Sequence, residues 1–147
     1  GPAMYQRILL AYDGSESGQK ALLDCRELAQ WSKAGLYLVA VRPYPGAAIG
    51  FEGMIVERGF DDETRQQYQD ILDDGLRRLR ESGHNAQGEV LVGDRIDQIV
   101  EYAKKIRADL IVVGHKHLDS WTARWWRGSS SPALIERAPC SVLVAIT

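Results

Sequence analysis

The chain has 147 residues, with 18 basic and 20 acidic side chains, a formal net charge of −2 and 45% hydrophobic residues. That length suits one domain with a sizeable core, and the slightly acidic balance gives no bulk attraction to nucleic acid or an anionic membrane. No apolar run reaches the roughly 18 residues that a membrane span needs, and no secretory pattern precedes the first strand, so a soluble cytoplasmic domain over residues 4–147 is expected. Gly1-Pro2-Ala3 before Met4 reads as a remnant of recombinant expression.

In chain order, Arg7–Tyr12 carries Ile8, Leu9, Leu10 and Ala11 and ends at Asp13-Gly14, which predicts a strand buried on both faces. Ala21, Leu22, Cys25, Leu28 and Ala29 recur at helical spacing, with Ser15 or Ser17 to cap the helix and Gly35 to stop it. Leu36–Val41 is the second strand, broken by Pro43 and Pro45. From Pro43 to about Phe60 there is no steady periodicity, so a long loop or partly ordered lid is expected. Asp61-Asp62-Glu63 reads as a helix start favoured by the dipole, in preference to a metal site. Its apolar stripe is Tyr68, Ile71, Leu72, Leu76 and Leu79, ending near Ser82-Gly83.

Glu89–Val92 before Gly93 is the third strand, and Asp94 is placed to cap a helix whose inner face is Ile96, Ile99, Val100, Ala103 and Ile106. Asp109–Gly114 is the fourth strand, with Gly114 letting the backbone turn at its end. Ser131 before Pro132 suits an N-cap, so a short helix is expected from Pro132 to Arg137. Ser141–Ile146 closes the chain as the last strand, and Cys25 and Cys140 read as buried free thiols.

Strands alternating with helices imply parallel βαβ units with right-handed crossovers. The expected fold is α/β: a single-domain, Rossmann-like, five-stranded parallel sheet of order 3-2-1-4-5 with helices on both faces. That order makes the first and fourth strands neighbours at the switch point, beyond whose carboxyl ends ligands bind. The loops there are Asp13-Gly14-Ser15 and Gly114 to Ser131.

In the second loop Gly128, Ser129, Ser130 and Ser131 precede a helix, whose N–H groups and dipole suit a phosphate. The same residue types also serve as plain turns and caps. Asp13 reads equally as an acceptor for a ribose, a base or a metal, or as a turn residue bonding its own backbone. Lys116, Arg124 and Arg127 outnumber Asp119, making the loop basic, while His115 and His117 alone are a poor zinc set. Trp121, Trp125 and Trp126 read first as core or interface packing, ahead of base stacking or single-stranded nucleic acid.

Together, Ile8-Leu-Leu-Ala-Tyr-Asp-Gly-Ser15, Asp109-Leu-Ile-Val-Val-Gly114, Gly128-Ser129 before a helix, and Ala138-Pro-Cys-Ser-Val-Leu-Val144 resemble the universal stress protein family over essentially the whole chain. The resemblance implies a bound adenine nucleotide, ATP first, with or without Mg2+, at Ala11, Asp13, Val41, Gly93, Gly114, Gly128 and Ser129; Val41 would line the adenine. The family's nucleotide-binding pattern is G-x2-G-x9-G-(S/T). Here His117 replaces the second glycine, and ten residues separate it from Gly128. His115, His117, Arg127 and Ser130 are therefore candidates to replace backbone contacts with charge-assisted or hydroxyl ones.

No serine-histidine-acid arrangement, P-loop or dinucleotide fingerprint is present, so the expected role is a regulatory switch with, at most, slow ATP hydrolysis. The resemblance further implies a homodimer through the last strand, where Val142, Val144 and Ile146 suit edge pairing, and an unspecified protein partner. The alternative is a dimeric scaffold of the same fold without nucleotide.

Overall fold

The computed structural model describes residues 5–44, 53–115 and 130–147. Among them strands and helices alternate as β1 (Arg7–Ala11), α1 (Glu16–Ser32), β2 (Gly35–Arg42), α2 (Gly53–Glu81), β3 (Ala86–Val92), α3 (Arg95–Ile106), β4 (Leu110–His115), α4 (Ser130–Arg137) and β5 (Ser141–Ile146). The strands form one parallel sheet, as the alternation predicts, and its order β3-β2-β1-β4-β5 is the expected one.

β1 and β4 lie inside the sheet, and Ile8, Leu9, Leu10, Ile111, Val112 and Val113 are each at most 1% exposed. Strand alternation divides their side chains between two cores. Ile8, Leu10, Tyr12, Leu38 and Val112 pack with Cys25 of α1 and Leu72 and Leu79 of α2. Leu9, Ala11, Val39, Ile111 and Val113 pack on the other face with Ile99 and Ala103 of α3 and Leu134 of α4. Helices therefore cover both faces. Both cysteines are free, Cys25 buried and Cys140 half-buried, and burial pushes each thiol pKa up.

Several boundaries differ from the sequence reading. α2 begins at Gly53, so the expected loop does not extend through residues 53–60, and its remainder at 45–52 lies outside the described residues. Gly53 and Gly59 are poor helix formers. Helix propagation, however, needs only one further bond per residue once the packed C-terminal half is formed. Asp61-Asp62-Glu63 consequently lies within α2 rather than at its start. α1 ends at a left-handed Lys33 (φ 56°), and Gly35 begins β2 instead of stopping the helix.

β3 begins at Ala86, because Gly88 is a strand residue whose missing side chain lets the Leu38 carbonyl approach; an added Cβ would collide with it. Asp109 stands just before β4, its carboxylate accepting from the backbone N–H groups of Gln6 (2.7 Å) and Arg7 (3.0 Å). α4 begins at Ser130, placing Ser131 and Pro132 inside the helix rather than at its cap and first position.

Candidate functional site

The site is assembled at the carboxyl ends of β1 and β4, adjacent strands in which Ala11 pairs with Val113. Helices approach this edge from opposite faces, which is where an open parallel sheet leaves a crevice. The turn after β1 is tightly determined. Gly14 has φ +78°, accessible to glycine at no cost, and Ser15 caps α1 by accepting the Gly18 N–H at 3.1 Å. The Asp13 carboxylate accepts from the Ser15 N–H (3.0 Å) and from its hydroxyl (2.5 Å). Asp13 is thus a turn aspartate that remains exposed at the mouth of the crevice.

Gly114 behaves differently from its sequence reading. It lies within β4, paired with Ala145, rather than turning the chain. Its necessity is steric: an added Cβ would collide with the Ser17 carbonyl and press on the Gly18 N at 2.6 Å. On the α1 side, a Cβ at Gly18 would lie 2.7 Å from the Asp13 carboxylate. Two glycines therefore hold the first turn of α1 against the end of β4, bringing the Asp13 turn and His115 to one edge. His115 ends β4 half-buried, and its carbonyl accepts the Thr147 N–H at 3.0 Å.

Two neighbouring strands extend the edge. Val41 of β2 is half-buried on the α3 face, the face that also carries Ala11, and pairs with Leu91. Gly93 follows β3 with φ +142°, donating its N–H to the Arg42 carbonyl at 2.9 Å. Asp94 then caps α3 as expected, accepting the Asp97 N–H at 3.0 Å. Ala11, Asp13, Val41, Gly93, Gly114 and His115 thus share the carboxyl edge. Ser130 is the first residue of α4, whereas His117, Arg127, Gly128 and Ser129, with the three tryptophans of that stretch, lie outside the described residues.

The sequence reading passed over two features of this edge. Arg42, at the end of β2, is only 6% exposed, an unusual burial for an arginine. Tyr12, between β1 and Asp13, is 2% exposed and donates its hydroxyl to Asp74 of α2 at 3.2 Å. Burial, then the Asp74 charge, raise the Tyr12 pKa. Burial opposes ionisation of Asp74, but hydrogen bonds from Arg77 (2.7 Å) and Arg78 (2.9 Å), with that of Tyr12, outweigh it and lower the carboxyl pKa. On the outer side, a cleft of about 590 Å³ separates the Gly14 turn from α2 and is lined by Glu63, Gln66, Asp70, Ile71 and Asp74 among others.

A parallel sheet with its crevice at the β1–β4 reversal defines an open, doubly wound α/β domain, a class of fold whose ligands bind at that edge. The chain belongs to the universal stress protein family, whose sequence model matches residues 4–145. It is 30% identical to universal stress protein Sll1388 of Synechocystis, covering 95% of this chain and 97% of that one. Among solved structures it resembles UspA from Lactobacillus plantarum (26% identity, 97% and 99% coverage, TM-score 0.79). It also resembles a universal stress protein in complex with cAMP (25% identity, 97% and 98% coverage, TM-score 0.69).

Proposed function

We propose that this chain binds an adenine nucleotide, ATP foremost, at the carboxyl ends of β1 and β4 and acts as a ligand-dependent regulatory switch. The observation that carries the reading is the exposed Asp13 turn held beside the end of β4 by Gly18 and Gly114, where the strand order reverses. The likeness to a family member in complex with cAMP supports it. Ala11, Asp13, Val41 and Gly93 would contact the nucleoside. Gly114, His115, His117, Arg127, Gly128, Ser129 and Ser130 would contact the phosphates, with Mg2+ serving a polyphosphate.

The test is a thermal-shift series with ATP, ADP, AMP and cAMP, each with and without Mg2+. A ligand that binds only the folded chain stabilises it by about 2.7 kcal/mol at a hundredfold excess over Kd. A selective, concentration-dependent rise is expected. No rise with any of them at millimolar concentration would sink the nucleotide reading. A second reading, a dimeric scaffold of the same fold, is favoured by β5, an edge strand whose Ile146 is 53% exposed. Dimerisation through β5 is proposed under both readings.

A further inference from the structure

The strand register of β1 ends at Ala11, and Tyr12 adds one last bond to the sheet, its N–H donating to the Val39 carbonyl at 2.9 Å. The exposed Asp13 therefore takes its position from its chain neighbours. α2 touches the residues on both sides of it. The Tyr12 ring, 2% exposed, lies against α2 at Gly75, where an added Cβ would stand 2.9 Å from the ring. Its hydroxyl donates to the preceding residue of the helix, Asp74, at 3.2 Å. Beyond Asp13, the Ile71 side chain stands 3.6 Å from the point that a Gly14 Cβ would occupy. Ile71, Asp74 and Gly75 are three and four residues apart and so share one face of the helix. That face grips the residues before and after Asp13.

The Tyr12 hydroxyl is the part of this contact that packing does not explain. A phenylalanine ring would fill the same space and bring no polar group that needs a buried partner. Apolar contact is non-directional, whereas a hydrogen bond prescribes an angle as well as a distance. The acceptor is itself fixed, because Arg77 and Arg78 hold the Asp74 carboxylate at 2.7 and 2.9 Å. The raised pKa of Tyr12 and the lowered pKa of Asp74 keep the phenol a donor and the carboxylate an acceptor at neutral pH. The bond thus sets the orientation of the strand end from which Asp13 projects.

We infer that Tyr12 is a positioning residue of the site: its hydrogen bond to Asp74 ties α2 to the end of β1 and fixes where the Asp13 carboxylate meets a nucleoside. The inference rests on the nucleotide reading, in which Asp13 contacts that ligand and Tyr12 does not.

The experiment is calorimetric titration with AMP of the wild type, Tyr12→Phe, Asp13→Ala and the double variant, together with amide hydrogen exchange at Ser15, whose N–H bonds to the Asp13 carboxylate. Phenylalanine keeps the ring and removes only the donor. AMP affinity is expected to fall about threefold or more in Tyr12→Phe, with faster exchange at Ser15 than in the wild type. In the Asp13→Ala background the same substitution is expected to change nothing further, since residues that act through one another are not additive. Unchanged AMP affinity in Tyr12→Phe overturns the role of Tyr12 and leaves nucleotide binding intact. An equal fall in both backgrounds also overturns it, because the hydroxyl would then act on the fold at large and not through Asp13. If Asp13→Ala abolishes AMP binding, the exchange result decides: unchanged exchange at Ser15 in Tyr12→Phe overturns the inference, and faster exchange with weaker binding upholds it. A wild type that does not bind AMP overturns the nucleotide reading and this inference with it.

Discussion

Gly114 and Asp13 stand at the same edge of the sheet but answer to different physics. Asp13 is legible locally, since a carboxylate bonding the backbone N–H two residues on needs only the turn itself. Gly114 is not, because the atoms that exclude a side chain there belong to Ser17 and Gly18, nearly one hundred residues away in sequence. Gly114→Ala is therefore expected to destabilise the protein by about 1–3 kcal/mol, the usual cost of overpacking a filled site. Urea unfolding would show it as a lower midpoint at unchanged slope. An unchanged midpoint would mean that β4 and α1 part without cost.

The helices carry the next level of organisation. The long α2 reaches the site through Tyr12, which joins Asp74 to the end of β1. The sequence revealed the apolar stripe of α2 but not this polar link, since spacing tells which face is buried and nothing of which strand residue meets it. The link makes a prediction in pH. The folded pKa of Asp74 lies below its ordinary value, so its stabilising contribution is present above the unfolded value and is lost as pH falls through the folded one. Asp74→Asn should lower stability at neutral pH and flatten the dependence on the acid side, as pH falls below the ordinary carboxyl value. Identical acid-unfolding curves for the two proteins would exclude Asp74 as a contributor. The Asp74 side chain is 35% exposed, so the effect will be small and will shrink with salt.

For the whole molecule the open question is the edge of the sheet. β5 has β4 on one side only, and Val142 and Val144 are half-buried while Ile146 is exposed. Such an edge invites pairing with another strand. Sedimentation at micromolar concentration is expected to show a dimer, and Val144→Lys with Ile146→Lys to shift it toward monomer. A wild type that sediments only as monomer would end the dimer proposal.

The sequence by itself determined the strand and helix alternation, the inner faces of α1 and α3, and the cap Asp94, and narrowed the α1 cap to Ser15 or Ser17. These follow from periodicity, propensity and turn chemistry, all written within a few residues of where they act. Tertiary structure alone decided that Gly114 serves helix packing, that Gly88 continues a strand and that Arg42 is buried. Each of these depends on which backbone or side-chain atoms from another element come within contact distance, and short-range pattern does not carry that information.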